Sequence, residues 1–91
     1  MRTLDQEIRP RRADRVVAQQ AAGNWVLLDV KTGEYYALDV VAGRIWHLCD
    51  GTRTVRQIAE VLSEEYDAAG HPVADDVVEF VSELIDSALL V

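Results

Sequence analysis

The sequence predicts an α+β domain in which a three-stranded antiparallel sheet is followed by three helices. Between residues 15 and 38 the chain is rich in β-branched and aromatic side chains, divided by two breaks that contain glycine. After residue 38 the apolar residues recur at helical spacing. The chain has 91 residues, of which 49% are hydrophobic and 27% are charged, a balance typical of one folded domain rather than of a disordered segment.

Three strands are expected, over residues 15–19, 25–30 and 34–38. The second and third are joined by Lys31, Thr32 and Gly33, and three residues ending in glycine fit a type I turn followed by a left-handed residue. These two strands should therefore form an antiparallel hairpin. The adjacent Tyr35 and Tyr36 must point to opposite faces of the sheet, so one belongs to the core and the other to the surface.

The first two helices have recognisable start signals. Asp39 can cap a helix that runs from about Val40 to Cys49. Its buried face is expected to comprise Val41, Ile45, Trp46 and Leu48. Thr54 and Gln57 have the spacing of a capping box at the start of the second helix. The buried stripe of that helix should comprise Val55, Ile58, Ala59, Leu62 and Tyr66, and a break follows at residues 69–72.

The third helix is expected to run from near Asp75 to about Ala88. Its main apolar stripe consists of Val77, Val81, Leu84 and Ala88. Phe80 widens the stripe on one side, whereas Val78, Ile85 and Leu89 widen it on the other. The helix therefore has more apolar surface than a single packing partner requires, and part of that surface could form a binding groove.

The chain is expected to divide into a flexible N-terminal arm or extended lead-in over residues 1–14 and a folded domain over residues 15–91. Charge divides it as well. Residues 1–15 contain five Arg against three acids, a net charge of +2, whereas the remaining residues contain four Lys or Arg against 13 acids, a net charge of -9. An acidic surface repels phosphates and attracts basic ligands, so no nucleic-acid partner is expected.

Catalysis, cofactors and metals are not expected. Cys49 is the single cysteine, and with only His47 and His71 beside it the chain has no Cys/His cluster of the zinc type. His47 and Cys49 are two positions apart on a helix and do not face each other, which makes them a poor nucleophile and base. Because neither a signal peptide nor a membrane span is visible, a cytoplasmic protein without membrane contact is expected.

One long run of residues carries a family resemblance. Residues 36–55 read YALDVVAGRIWHLCDGTRTV, and the turn over residues 50–55 is their most specific part. The run is followed at fixed distances by Ile58, Leu62, Tyr66, Val73, Asp76, Val77, Phe80, Val81, Leu84, Leu89 and Leu90. With these features, residues 15–91 resemble the PqqD family. That family comprises the peptide chaperone of pyrroloquinoline quinone biosynthesis and related elements that bind the leader peptides of ribosomally made natural products.

The resemblance implies a stand-alone, non-catalytic protein that captures a precursor leader peptide as a strand added to the third strand. Peptide side chains would enter a slot between that strand and the third helix. The implied binding residues are Glu34, Tyr35, Tyr36, Ala37, Leu38, Asp76, Val77, Phe80, Val81 and Leu84.

The hairpin over residues 30–38 resembles lasso-peptide pathway proteins, which deliver the precursor to a separate leader peptidase or other maturation enzyme. Two alternatives remain open: the peptide chaperone of pyrroloquinoline quinone biosynthesis, and a winged-helix DNA-binding regulator. The latter is disfavoured because the helices that would enter a DNA groove are acidic.

Overall fold

A computed structural model describes residues 4–66 and 73–91 of the chain. The elements follow in the order β1 (Val16–Ala21), β2 (Asn24–Asp29), β3 (Tyr35–Leu38), α1 (Val40–Leu48), α2 (Val55–Tyr66) and α3 (Ala74–Asp86). The strands form one antiparallel sheet with the order β1-β2-β3. This confirms the predicted α+β class, and the arrangement is compatible with a winged helix-turn-helix description. The break predicted at residues 69–72 lies outside the described residues.

Two tight turns fix the register of the sheet. Ala22 and Gly23 connect β1 to β2 with φ angles of 51° and 84°, the positive values that a type I′ hairpin needs at both central positions. In the second turn, Gly33 has a φ of 78° and its N–H donates to the carbonyl of Asp29 at 2.7 Å. The N–H of Asp29 in turn donates to the carbonyl of Glu34 at 3.0 Å. This is the hairpin that the glycine-ended turn predicts.

The Asp29 carboxylate organises this second turn from a buried position. It accepts hydrogen bonds from the backbone N–H of Lys31 at 3.0 Å and from Nε of Arg15 at 3.0 Å. Burial acts to raise the pKa of Asp29, but these hydrogen bonds and that of Thr32 outweigh it and hold the pKa below its ordinary value. The charged carboxylate thus holds the turn, and with it the start of β3, in place.

The predicted helix starts are confirmed by their hydrogen bonds. The Asp39 carboxylate accepts from the N–H of Ala42 at 2.8 Å and caps α1. At α2, the N–H of Gln57 donates to the Thr54 hydroxyl at 3.1 Å, while the N–H of Thr54 donates to the Gln57 amide oxygen at 2.9 Å. Both donors of the capping box are therefore satisfied reciprocally.

The end of α3 differs from the expectation that the helix runs to about Ala88. The helix ends at Asp86, and Ala88 adopts a left-handed φ of 60°. The N–H of Leu89 then donates to the carbonyl of Leu84 at 2.9 Å, and the N–H of Ala88 donates to that of Ile85 at 3.0 Å. This is the Schellman pattern of helix termination. Because of it, Ala88 points to solvent rather than into the apolar stripe.

The core lies between the sheet and the helices. Helix α1 packs against β2 and β3, whereas α2 and α3 pack against each other. The largest fully buried side chains include Trp46, Leu27, Ile58, Leu62, Leu89 and Leu90. Gly43 of α1 lies directly against the indole of Trp25, where a Cβ atom would overlap the ring. Only glycine therefore allows α1 to approach the sheet this closely. No helix in the described parts of the chain has the length and apolar character that a membrane crossing requires.

The sequence predicts a flexible arm or an extended lead-in over residues 1–14, and the described part of this segment, from Leu4 onward, is hydrogen-bonded to the rest of the domain. The carbonyls of Gln6 and Ile8 accept hydrogen bonds from the first two N–H groups of α2, each at 3.0 Å. Further along, Arg11 exchanges two backbone hydrogen bonds with Val91, at 2.9 and 2.7 Å. The segment therefore satisfies helix donors that would otherwise lack partners inside α2.

Two arginines of the same region bind the carbonyls at helix ends. Nη1 of Arg12 donates to the carbonyls of Trp46 and His47, at 3.2 and 2.9 Å, at the end of α1. Nη2 of Arg15 donates to the carbonyl of Ala88 at 2.7 Å, just beyond α3. The basic residues near the N-terminus thus act as C-terminal caps of helices that lie far away in the sequence.

Candidate functional site

Among the described residues, strand β3 pairs with β2 on one side only, so its other edge is free of them. The N–H of Asp29 donates to the carbonyl of Glu34, so these two residues form a hydrogen-bonded pair of the β2–β3 ladder. Hydrogen-bonded and non-hydrogen-bonded pairs alternate along an antiparallel ladder. Tyr36 and Leu38 therefore direct their backbone groups toward β2. Tyr35 and Ala37 direct theirs outward, so their N–H and C=O groups are available to another strand.

The side chains of β3 alternate between the two faces of the sheet. Leu38 is buried in the core and Tyr36 is half-buried against it, whereas Tyr35 is 71% exposed and Ala37 is exposed. Tyr36 is therefore the core tyrosine and Tyr35 the surface one. The Tyr36 hydroxyl donates to the Glu34 carboxylate at 3.3 Å, and partial burial together with this carboxylate raises the pKa of Tyr36.

Helix α3 presents its predicted site residues at three depths. Val77, Val81 and Leu84 are buried and share one core cluster with Leu38. Phe80 is half-buried, and Asp76 is exposed. The buried three belong to the core, and of the predicted site residues on α3 only Phe80 and Asp76 have surface that a ligand could reach without displacing that core.

An apolar hollow of about 410 Å³ lies between the first turns of α1 and α3. Its lining residues are Asp39, Val41, Ala42, Ile45, Tyr66, Val73, Asp76 and Phe80. Asp39 follows β3 directly, so the hollow opens where the free strand edge ends. A peptide strand that pairs with β3 would pass the mouth of this hollow and could place one side chain inside it.

The walls of the hollow are linked by an ion pair between α1 and α2. Arg44 donates to the Glu65 carboxylate in a bidentate arrangement, with Nη2 to Oε2 at 2.7 Å and Nε to Oε1 at 3.1 Å. These residues are the neighbours of Ile45 and Tyr66, which line the hollow. The pair is partly exposed, so its contribution lies in orienting the two walls more than in raising stability.

Two carboxylates contribute to the lining of the hollow. Asp39 and Asp76 belong to its lining, and Asp75 precedes Asp76 in the first turn of α3. Among the described residues, no arginine or lysine contributes to the lining. The hollow therefore combines an apolar interior with a negative rim, a combination that suits an apolar side chain with a basic neighbour.

Six lining residues were absent from the sequence-based site. Val41, Ile45 and Tyr66 were assigned to buried helix stripes, and the structure leaves Val41 and Tyr66 half-buried. Both lie at an end of their helix. An apolar residue at the end of a helix stripe has fewer neighbours to cover it. This position is the sequence signal that could have identified Val41 and Tyr66 as accessible.

The single cysteine of the chain lies in an unreactive setting. Cys49 is buried, and burial raises its pKa to about 12, so the thiol is protonated at neutral pH. Nδ1 of His47 pairs with the carbonyl of Gly43 at 2.7 Å, and the imidazole lies 4.3 Å from the ring of Trp25. Within residues 4–66 and 73–91, no group of His, Cys, Asp or Glu side chains converges in a way that could hold a metal ion.

Known proteins resemble this chain over most of its length. The profile of the family described as "Coenzyme PQQ synthesis protein D (PqqD)" matches residues 24–90. A relative named "PqqA binding protein" from Xanthomonas oryzae pv. oryzae (strain PXO99A) is 34% identical over 76 residues, which cover 84% of this chain and 80% of the relative. A protein of the same name from Xanthomonas oryzae pv. oryzae (strain KACC10331 / KXO85) is 32% identical over 88 residues, covering 97% and 94%.

Two solved structures share the fold. The structure described as "TbiB1 in Complex with the TbiA(beta) Leader Peptide" is 31% identical in sequence and has a TM-score of 0.74, covering 88% of this chain and 93% of that one. "Lasso peptide synthetase B1 complexed with the leader peptide" is 23% identical with a TM-score of 0.77, which shows likeness of fold over 91% and 98% of the two chains. With the family match extending from β2 to the C-terminal residues, this chain belongs to the PqqD family.

Proposed function

We propose that this protein is a non-catalytic binding protein for the leader of a ribosomally made precursor peptide, which it presents to a processing enzyme. The observation that carries the proposal is the free edge of β3 beside an apolar hollow. A similar protein also supports the proposal: TbiB1, which is 31% identical and similar in fold, is described in complex with a leader peptide.

Backbone pairing supplies the register of the complex but only part of its affinity. The outward groups of Tyr35 and Ala37 allow up to four hydrogen bonds, worth about 2–6 kcal/mol in total at 0.5–1.5 kcal/mol each. A micromolar complex needs about 8 kcal/mol, and ordering a flexible leader adds a cost. An apolar side chain buried in the hollow would contribute about 1.5–3 kcal/mol more. The strand edge and the hollow are therefore both required.

Amide hydrogen exchange of the domain with and without leader peptide tests this mode at single residues. We expect the N–H groups of Tyr35 and Ala37 to exchange more slowly in the complex. The N–H groups of Tyr36 and Leu38 should change less, since they already face β2. Residues of α3 near Phe80 should also gain protection. Protection centred on residues 54–66 would contradict the proposal.

Within this function, we propose that the leader belongs to a lasso-peptide precursor and that the receiving enzyme is a separate leader peptidase. The hairpin over residues 30–38 and the fold shared with TbiB1 support this assignment. The peptide chaperone of pyrroloquinoline quinone biosynthesis remains the alternative, and the relatives named "PqqA binding protein" favour it.

The genes that neighbour this one distinguish the two pathways. A cysteine-protease-like peptidase together with an asparagine-synthetase-like cyclase would support the lasso-peptide assignment. Binding measured against the leaders of both precursor classes gives the biochemical counterpart. Preference for the quinone precursor would overturn the lasso assignment and leave leader binding by β3 intact.

A further inference from the structure

The face of the sheet opposite to the helices, here called the outer face, is composed of uncharged residues. Leu27 and Leu38 are buried on the inner face, where Trp25 lies against Gly43 of α1. Successive residues of a strand point to opposite faces, so the register assigns the alternate positions to the outer face. These positions are Val17, Gln19, Ala21, Asn24, Val26, Leu28, Tyr35 and Ala37. None of them is charged, although 27% of the whole chain is charged.

Two rows of side chains cross the outer face and end at β3. In the first row, Val17 lies beside Leu28, and Leu28 lies beside Tyr35. Val17 is 50% exposed, Tyr35 is 71% exposed, and Leu28 is half-buried between them, so this row is apolar across all three strands. In the second row, the half-buried Val26 lies beside the exposed Ala37. Because alanine is small, this second row is lowest at the edge of the sheet.

A strand that pairs with β3 must extend both rows. Tyr35 and Ala37 direct their backbone groups toward such a strand, and the same two residues direct their side chains to the outer face. Side chains of neighbouring strands alternate in phase, so the peptide residues beside Tyr35 and Ala37 also point to the outer face. The peptide residue between them points to the inner face, toward α3 and the hollow. Strand pairing therefore determines which peptide side chains meet the outer face.

We propose that Tyr35 and Ala37 contact a second set of leader side chains on the outer face and select apolar residues there. This inference rests on the proposed function and narrows its ligand class, because the leader strand is then apolar on both faces. An aromatic or β-branched residue beside Tyr35 forms a favourable cross-strand pair. A larger apolar side chain beside Ala37 can lie over the alanine and reach Val26. A charged residue at either position loses hydration against these rows and gains no opposite charge.

A charge scan of the leader tests this selection. The probes are a synthetic peptide with the unmodified leader sequence and variants of it in which each position in turn is Glu. Binding to the wild type should weaken at consecutive leader positions, because both faces of the strand are apolar. Tyr35→Lys should bind the parent leader about fivefold more weakly than the wild type does. The same variant should bind one Glu peptide more tightly than the parent leader, since the carboxylate then lies beside the introduced ammonium group.

Val17→Lys is the matched control. It adds the same charge to the same row of the outer face, but on β1, two strands away from the β3 edge. This variant should bind the parent leader and every Glu peptide as the wild type does. A second check uses Phe80→Ala: the leader position whose side chain enters the hollow should lie an odd number of residues from the position that prefers Glu in Tyr35→Lys. Circular dichroism establishes that each variant is folded.

Two results would overturn the inference: a Tyr35→Lys protein that binds the parent leader as tightly as the wild type does, or one that prefers no Glu peptide to the parent. Amide exchange distinguishes this failure from failure of the proposed function. If the leader still protects the N–H groups of Tyr35 and Ala37, the strand pairing stands and only the selection on the outer face is wrong. If this protection is absent, the proposed binding mode is wrong as well.

Discussion

Strands β1 and β3 form the two edges of one sheet, yet they differ in what lies next to them. Beneath β3, Leu38 belongs to the core and an apolar hollow opens at the strand's end. Beneath β1, Ala18 and Gln20 are exposed, and in the described parts of the chain no comparable core supports the strand beyond Val16. The backbone groups of the two edges are chemically the same, so the neighbouring side chains decide what each edge can select. β3 is thus the edge at which a peptide could both pair its backbone and anchor a side chain.

The largest expected difference between the two edges concerns stability. Leu84→Ala removes a side chain that is buried in the core shared with Leu38, and it should lower the free energy of unfolding by about 2–5 kcal/mol. Gln20→Ala changes an exposed side chain on β1 and should remain within about 0.5 kcal/mol. Urea unfolding monitored by circular dichroism measures both. Equal losses would mean that Gln20 of β1 rests on a core as Leu84 of α3 does.

Proline substitution distinguishes the edges by function. Ala37→Pro removes an N–H that faces outward, so the domain should stay folded while leader affinity falls at least tenfold. Ala18→Pro makes the same change on the other edge and should leave leader affinity unaltered. Calorimetric titration with leader peptide measures each constant. An Ala37→Pro protein that folds and binds as the wild type does would show that the leader docks elsewhere.

The contribution of the hollow is expected to be smaller. Phe80 is half-buried, so Phe80→Ala should cost about 1 kcal/mol of binding, or roughly fivefold in affinity. Val78→Ala is the matched control, since Val78 is half-buried on the same helix but lies beside Leu4, outside the hollow. The same titration compares them. If Val78→Ala weakens binding as much as Phe80→Ala, the effect comes from the helix and not from the hollow.

The smallest expected effect is electrostatic. The acidic rim at Asp76 should favour a basic leader without providing most of the affinity, so raising salt from about 50 to 200 mM should weaken binding less than about tenfold. Phosphate binding would lose about 10³–10⁵-fold over the same range. Asp76→Asn should reduce the salt dependence further. Steeply salt-sensitive binding to duplex DNA would instead support the DNA-binding alternative.

The sequence predicts the regular elements well because their signals are local. Alternation and helical spacing locate the strands and helices, and Asp39, Thr54 and Gln57 form the caps that their spacing predicts. The end of α3 was missed because Ala88 adopts a conformation that usually belongs to glycine. An alanine at that position resembles one more member of the apolar stripe.

The docked N-terminal segment and the hollow could not be predicted in the same way. Gln6, Ile8 and Arg11 bond to backbone groups that are distant in sequence, which leaves no periodicity near them. The hollow depends on the distance between α1 and α3. The spacing of apolar residues within one helix does not predict the distance between two helices. The pattern identifies Phe80 and Leu84 as members of one apolar surface, whereas only the packed structure shows that Leu84 is covered and Phe80 is half open.

The pair of hydrogen bonds between Arg11 and Val91 has a kinetic consequence. It joins positions that are separated by nearly the whole chain, so the entropy of closing that loop must be lost before the bonds form. Contacts of this kind tend to be absent from the folding transition state. Weakening the pair should therefore leave the folding rate nearly unchanged and accelerate unfolding. The hydrogen bonds between Arg11 and Val91 would then form after the sheet and helices have assembled, and they would lengthen the lifetime of the native domain by slowing its unfolding.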